Sequence, residues 1–406
     1  MRTAPRILTF TTLYPSAARP RHGIFVENRL VQLQRHGDVA VRIIAPVPWF
    51  PSTANGFGAY AALARTPRHE IRAGNDVHYP RYLAVPGAGM YLHPWTIARS
   101  GIREFRSLRR TGYDCDLIDA HYFYPDGVAA AILARSIGKP LVITARGSDV
   151  NLLSRYTVPR RLILWAAGQA QAIITVSAAL KAKLVELGVD EAMITVLRNG
   201  VDVEVFHPVP RELARERLGL PRGPLVLSVG NLVPEKGHEL VIDAIAELPG
   251  AQLAIIGDGP LLAQLGSHAE KRGVATRVHF LAVRPQAELK WVYGGADVLV
   301  LASSREGWPN VLLESMACGT PVVATDVGGV REIVTDTSAG TIVPERSGAA
   351  LARAVRSLLA ANLSRDAIRR FAERFDWAAT SEGQLRVFDE ALDARRRVMP
   401  LSAEAP

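Results

Sequence analysis

The chain of 406 residues reads as an α/β protein made of two doubly wound domains in tandem. Three observations predict this. Short β-branched runs alternate with helical patterns along nearly the whole length, the mark of βα units around parallel sheets. A connection at Asn199-Gly200-Val201-Asp202 through His207-Pro208-Val209-Pro210, rich in proline and turn residues, is followed by a second such series. The length also suits two domains of roughly 100 to 200 residues each. The spans expected are 1–205 for the first domain and 206–375 for the second, with 376–406 as a separate terminal segment.

In the first domain strands are expected at 6–12, 39–45, 117–121, 141–145, 172–176 and 194–197. Between them lie helices at 25–35, 94–110, 127–137, 159–168 and 178–187, where apolar residues recur at three-to-four spacing. The stretch 46–89 breaks the rule. Pro48, Trp49, Phe50, Pro51, Gly56, Phe57, Gly58 and Tyr60 crowd into it, so loops and short irregular elements are expected rather than a regular βαβ unit. Long irregular segments in compact domains often carry function. In the second domain strands are expected at 225–229, 253–256, 278–281, 298–301, 322–324 and 341–343. The tail, 364–397, is helical with a break near Asp376-Trp377. Open parallel sheets bind ligands beyond the carboxyl ends of their strands, so a cleft between two facing domains is the expected site.

Hydrophobic residues are 48% and charged residues 21% of the chain, ordinary for a globular protein. The longest apolar runs are strand-sized, far below the roughly 20 residues that span a bilayer. Met1-Arg2-Thr3-Ala4-Pro5-Arg6 leads straight into a strand without the apolar segment and cleavage site of a secretory signal, so a cytoplasmic protein is expected. Cys115 and Cys318 are the two cysteines, too few for a disulfide framework and expected to be ordinary buried residues. The net charge of +9 admits nucleic acid, an anionic membrane surface or a phosphorylated substrate. No nucleic-acid motif surrounds the arginines, which leaves a solvated helix face, or peripheral contact with the inner face of the plasma membrane.

The richest stretch is Ser304-Arg305-Glu306-Gly307-Trp308-Pro309-Asn310-Val311-Leu312-Leu313-Glu314, followed by Gly319 and a buried strand. A helix beginning after Pro309-Asn310 offers free N–H groups and a positive dipole end to a phosphate. Glu306 and Glu314 flank that site. Carboxylates beside a phosphate cradle make sense when the ligand also carries hydroxyls, and the simplest such ligand is a nucleotide sugar. Other candidates lie at βα turns. Gly23 precedes a helix, where a glycine lets backbone approach a ligand. His121 ends a strand and could meet a sugar hydroxyl. Arg146, after the next strand, could hold an anionic group or pair with Asp149. Val229-Gly230-Asn231 runs through Glu235-Lys236-Gly237 into a helix, placing Lys236 where a diphosphate would depart. Gly257-Asp258-Gly259 repeats that strand, glycine turn and helix. No metal-ligand spacing and no Gly-x-Ser-x-Gly elbow is found, so neither metal nor cofactor is expected.

In combination these residues resemble the retaining glycosyltransferases of family 4, which have a GT-B fold of two facing Rossmann-like domains. Glu306 and Glu314 match the paired glutamates, and the likeness also covers Tyr14-Pro15-Ser16 through Gly23-Ile24-Phe25-Val26, Pro125-Asp126-Gly127, Arg146-Gly147-Ser148-Asp149, Asn199-Gly200-Val201-Asp202 and Glu235-Lys236-Gly237. The first-domain motifs look most like bacterial cell-wall and exopolysaccharide transferases, including those similar to teichuronic acid biosynthesis enzymes. The resemblance implies an acceptor-binding first domain, a nucleotide-sugar-binding second domain and a terminal helix, 376–406, that returns to the first. It implies that Glu314 binds ribose hydroxyls, Glu306 binds a hydroxyl of the transferred sugar, and backbone N–H groups of Gly307, Trp308, Pro309, Asn310, Val311 and Leu312 (Pro309 having none) meet sugar and phosphates. Lys236 would neutralise the diphosphate, Gly23 would line a phosphate loop, and His121 would contact the sugar near the reacting carbon.

Asn231 departs from the family pattern, which usually has arginine there, so Lys236 would carry more of the leaving-group stabilisation, helped by Arg146 or Arg284. The reaction expected is metal-independent transfer, with retention, from a UDP- or GDP-sugar to a glycan or polyisoprenyl-linked acceptor, with the irregular stretch 46–89 as the acceptor face. The alternatives are a nucleotide-sugar epimerase and a non-catalytic nucleotide-sugar-binding protein.

Overall fold

A computed structural model describes residues 4–85, 87 and 89–398. The opening Met1-Arg2-Thr3 and the end of the terminal segment, 399–406, lie outside the described residues, as do Pro86 and Ala88. The chain divides into two compact units, one formed by Met1–Arg198 with Ala378–Pro406 and the other by Asn199–Trp377.

The first unit runs β1 (Arg6–Phe10), α1 (Ile24–His36), β2 (Ala40–Ile44), β3 (Val47–Pro48), α2 (Ala59–Arg65), β4 (His69–Arg72), β5 (Asn75–His78), β6 (Arg81–Tyr82) and α3 (Gly89–Arg110). It continues β7 (Leu117–His121), α4 (Val128–Ile137), β8 (Leu141–Ala145), α5 (Ser148–Asn151), α6 (Thr157–Ala167), β9 (Ala172–Thr175), α7 (Ala178–Glu186) and β10 (Ile194–Val196). The second unit holds α8 (Arg211–Leu218), β11 (Leu225–Val229), α9 (His238–Ala246), β12 (Gln252–Ile256), α10 (Leu262–Lys271), β13 (Val278–Leu281), α11 (Leu289–Gly295) and β14 (Val298–Leu301). After these come α12 (Asn310–Ala317), β15 (Val322–Thr325), α13 (Val330–Ile333), β16 (Gly340–Val343), α14 (Gly348–Ala361) and α15 (Arg365–Ala372), and α16 (Ala378–Val398) closes the chain as part of the first unit.

The first sheet is ordered β10-β9-β8-β7-β1-β2-β5-β4 and is parallel except for β4, which runs antiparallel to β5. The central strands β7 and β8 are buried at every position, as their uninterrupted apolar character dictates when helices cover both faces. The stretch 46–89 carries more regular structure than its prolines and glycines suggest. Residues Asn75–His78 pair with β2 in parallel and extend the sheet, while Val47–Pro48 and Arg81–Tyr82 form a small separate ladder. Each strand is four residues or fewer, too short for an alternating pattern to show in sequence.

The second sheet is ordered β13-β12-β11-β14-β15-β16 and is wholly parallel. The chain starts in the middle, winds outward, then returns to wind the other way, so the direction reverses between β11 and β14. In the first sheet the reversal lies between β1 and β7. At such a point the two loops following the strands diverge and leave a crevice at the strand ends, where ligands of doubly wound sheets bind.

The helical tail is two helices rather than one kinked helix. In α15, Arg369 reaches back to the carbonyls of Val203 (3.0 Å) and Ala317 (2.9 Å) within the second unit. Helix α16 packs on α1 in the first unit, where Val387, Phe388 and Ala391 share a core with Leu30, Leu33 and Ile43.

Candidate active site

The reversal point of the second sheet collects the chemistry of that unit. Lys236, in the loop after β11, places Nζ 2.6 Å from Glu306 Oε1, in the loop after β14. Ser303 Oγ donates to the same oxygen at 2.7 Å. Two segments 70 residues apart in sequence thus meet because their strands are neighbours. The loops are also joined through backbone, Ser304 N donating to Glu235 O at 2.8 Å, and Arg305 pairs with Glu235. Behind Glu306 stands Gly328, φ 52°, where a Cβ would fall 2.0 Å from the Glu306 carbonyl oxygen. No side chain fits there without moving Glu306.

Glu314 lies on α12, just over one turn from its first residue. Side chains on a helix lean toward its N-terminus, so this carboxylate and the first-turn N–H groups share one end of α12. Asn310 at that end accepts from Asn199 Nδ2 at 3.2 Å. Tyr293 of α11, fully buried, donates from its hydroxyl to Glu314 Oε2 at 2.6 Å. Burial raises the Glu314 carboxyl from its usual 4.5 to about 7, and the Tyr293 hydrogen bond opposes the rise. Burial, with Glu314 adjacent, holds the phenol protonated well above its ordinary value.

Gly307 and Trp308 are buried. Trp308 packs against Phe375 with ring centres 6.3 Å apart, so its ring braces the loop from inside. Asn231 is exposed at the tip of the loop after β11. Its carbonyl accepts from buried His238, whose other ring nitrogen takes a hydrogen bond from Ser228. Burial lowers that imidazole to about 4, so it stays neutral and ties the loop to α9. Gly257 lets the loop after β12 lie against the first, since a Cβ there would meet the Gly230 carbonyl at 1.9 Å. Arg284 pairs with Glu288, four residues on, at 3.8 Å.

In the first unit the loops after β1 and β7 are bound together. Asp126 accepts from Thr11 Oγ1 at 3.1 Å, Thr12 N at 2.6 Å and Thr12 Oγ1 at 3.0 Å. Burial raises its carboxyl to about 7 despite these donors. Gly23, φ 70°, caps α1, and a Cβ there would lie 2.2 Å from Leu13 O. His121 has no exposed surface. Its Nδ1 lies 2.6 Å from Arg146 Nη2 and its Nε2 lies 2.9 Å from Asp119 Oδ2. Because Arg146 can only donate, Nδ1 accepts and the ring proton sits on Nε2. Burial lowers the imidazole to about 4. The Asp149 carboxylate accepts backbone N–H groups from Phe123 (2.6 Å), Gly147 (2.7 Å) and Arg146 (3.2 Å), and its charge favours the Arg146 cation against the cost of burial. Asp119 also meets Gln384 Nε2 at 3.4 Å, and Gln384 accepts from Arg29 Nε at 2.6 Å. His121 and Arg146 are therefore one end of a buried polar chain running to α1 and α16.

Among the described residues no group of three or more His, Cys, Asp or Glu is arranged to hold a metal ion, and no helix is long and apolar enough to cross a membrane. Residues 25–205 match the profile of Glycosyltransferase Family 4, and residues 210–375 that of Glycosyl transferases group 1. A Bacillus subtilis protein named as the teichuronic acid biosynthesis glycosyltransferase TuaC is 32% identical over 357 residues, 86% of this chain and 88% of its own. The chain belongs to glycosyltransferase family 4.

The fold of this family 4 glycosyltransferase is shared more widely. A D-inositol 3-phosphate glycosyltransferase of Acidothermus cellulolyticus is 35% identical over 318 residues, covering 71% of this chain and 70% of its own. Sucrose-phosphate synthase from Thermosynechococcus elongatus superposes with a TM-score of 0.80 at 22% identity, over 96% of this chain and all of that one. HepE of Anabaena, solved in complex with UDP and glucose, gives 0.72 at 20% identity over 95% and 99%. These are GT-B proteins, and the two units here are Rossmann-like domains with parallel sheets.

Of the residues singled out in the glycosyltransferase sequence, the structure joins Lys236 to Glu306 and Arg146 to His121. Sequence reading missed Tyr293, Ser303 and Gly328 in the second unit, and Asp119, Arg29 and Gln384 in the first, and it noted Asp126 only within the motif Pro125-Asp126-Gly127, without a role. The Gly328-Gly329 pair after a strand was a visible signal. Asp119 was another, two residues before His121 and so on the same face of the strand. Nothing local to Tyr293 or Gln384 sets them apart.

Proposed function

We propose that this glycosyltransferase moves a sugar from a UDP- or GDP-sugar to a glycan or polyisoprenyl-linked acceptor of bacterial surface polysaccharide synthesis, with retention and without a metal. The observation that carries the reading is the Lys236–Glu306 contact at the reversal point of the second sheet, beside the N-terminal end of α12 that bears Glu314. A cation for a diphosphate, a carboxylate for sugar hydroxyls and a second carboxylate at a helix start are the groups a nucleoside diphosphate sugar requires. The TuaC relative, named for teichuronic acid biosynthesis, and HepE, solved with UDP and glucose, support this pathway and donor class.

In the proposed reaction Glu314 accepts from the ribose hydroxyls and Glu306 from a hydroxyl of the transferred sugar. Backbone N–H groups in the segment 307–312 and Lys236 meet the phosphates, with Asn231 and Gly257 lining the same loops. The bond from the anomeric carbon to the diphosphate breaks with its electron pair going to the leaving oxygen. Lys236 stabilises that charge, supplying what a metal ion would otherwise supply. The acceptor oxygen bonds to the carbon on the face the diphosphate leaves, and the diphosphate takes the acceptor proton. His121 and Arg146, with Gly23, serve the first unit's side of the reaction, and Arg284 is a secondary contact for the donor.

The test is turnover of Lys236→Ala and Glu306→Ala proteins that keep the native circular-dichroism spectrum. Losing a preorganised charge at the leaving group should lower kcat about 100- to 1,000-fold. Full turnover by either folded variant would contradict the assignment.

A further inference from the structure

The first unit carries an unusual concentration of exposed aromatic and aliphatic side chains between residues 49 and 95. Helix α3 shows the pattern most clearly. Its outward residues Tyr91, Leu92 and Trp95 are 49%, 41% and 50% exposed, and they are followed by Arg99, Arg103, Arg106, Arg109 and Arg110, all exposed. At 3.6 residues per turn these positions fall within a sector of about 120°. The opposite side of α3, including Ile97, Phe105 and Leu108, is buried. The free face is therefore apolar and aromatic in its first two turns and cationic in the rest. The helix has one acid, Glu104, which is half-buried and lies 2.9 Å from His78, so it does not neutralise the arginine stripe.

The apolar end does not stand alone. Tyr82 of β6 stacks edge-on against His93 of α3 at 5.5 Å, and Trp49 N donates to Tyr82 O at 2.8 Å. Next to Trp49, Phe50 stacks on Tyr60 at 5.2 Å and meets Phe57 edge-on at 5.4 Å. Trp49, Phe57 and Tyr60 are each more than half exposed. A continuous run of structure thus carries exposed aromatics from α2 to the start of α3. Neighbouring exposed apolar side chains, unlike ones scattered singly, mark interaction sites.

The geometry points to an anionic lipid bilayer as the occupant: the aromatic and aliphatic end of this surface enters the interfacial region while the arginines of α3 lie along the headgroups. Tryptophan and tyrosine favour that region because they are apolar at one end and hydrogen-bond at the other. Arginines spaced along an in-plane helix add attraction to anionic lipid. A protein partner would not call for a stripe of five like charges next to an aromatic cluster unless it were itself acidic.

Co-sedimentation of the full chain with vesicles tests this without donor or acceptor, so its outcome is separable from that of the transfer assay. The chain is expected to bind phosphatidylglycerol–phosphatidylcholine vesicles, weakening with added salt, and to leave pure phosphatidylcholine vesicles in the supernatant. Substituting Arg99→Gln, Arg103→Gln and Arg106→Gln together should weaken binding about 100-fold, at about fivefold per arginine. Leu92→Ser with Trp95→Ser should abolish it. All five positions are exposed, and an unchanged thermal transition verifies that each variant is folded. The proposal is overturned by absence of binding, by equal binding to neutral vesicles, by variants that bind like the parent, or by a dimer that the same substitutions dissociate.

Discussion

Replacing Tyr293 with phenylalanine removes one oxygen and leaves the ring in place beside Phe206, 6.0 Å away. That oxygen donates to Glu314 at 2.6 Å and opposes the rise of the Glu314 carboxyl, which stands at about 7. A hydrogen bond to a charged group contributes about 1.5 to 3 kcal/mol, so its loss should raise the carboxyl by a further 1 to 2 pH units or so. Ribose hydroxyls donate best to an ionised carboxylate. In the parent protein kcat/KM for the donor should therefore fall as pH drops through about 7, and in Tyr293→Phe that acid limb should move to higher pH, leaving roughly half or more of the activity at pH 9. Since kcat/KM reports the free enzyme, the assay is its pH profile from 5.5 to 9.5. Superimposable acid limbs would refute the reasoning.

The same carboxyl predicts a stability trend. Its folded value lies above its usual 4.5, so the folded state holds the extra proton between those values, and stability present below about pH 4.5 is lost as pH rises through about 7. The upper figure is about 3 kcal/mol, reduced because Glu314 is only half-buried. Urea midpoints for the parent and Glu314→Gln across that range should converge at low pH and separate near neutrality, the glutamine variant being the more stable. Gly328→Ala should cost about 1 to 3 kcal/mol of stability and weaken donor use, because its Cβ displaces the Glu306 carbonyl. Urea unfolding and donor KM check it together. Arg29→Met should cost about 3 to 5 kcal/mol by leaving Asp119 and Gln384 without their buried cation, read as a lower urea midpoint.

The fold was legible because both sheets are built of buried parallel strands, which announce themselves as apolar runs such as Leu225–Val229 and Val298–Leu301. Most helix ends in the first domain were nearly as clear, whereas α3 begins at Gly89 rather than at 94, with Pro94 inside its first turns. What stayed hidden was the pairing of short segments: β4 and β5 have four residues each, and their place at the sheet edge is decided by partners outside the local sequence. The site divides the same way. Lys236, Glu306 and Glu314 could be picked out because charged residues at strand-to-helix turns are conspicuous. Tyr293 and Gln384 could not, since each acquires its role from a residue it reaches only on folding. His121 was singled out for its place at a strand end, and it lies buried between Asp119, two residues back on its own strand, and Arg146, in the loop after the neighbouring strand. Trp308 is conspicuous in the loop between Glu306 and Glu314, while the partner its ring packs on, Phe375, is set only by folding.

The central claim is that the second unit holds a nucleoside diphosphate sugar by Lys236, Glu306 and Glu314 and breaks its anomeric bond with retention. The most direct measurement is to incubate the protein with a panel of labelled UDP- and GDP-sugars in a metal chelator and follow the anomeric proton by NMR. One donor should release its nucleoside diphosphate slowly, the sugar appearing first with the anomeric configuration of the donor, and Lys236→Ala should suppress the release. An inverted first product, a donor converted to its epimer, or binding without release from any donor would contradict it.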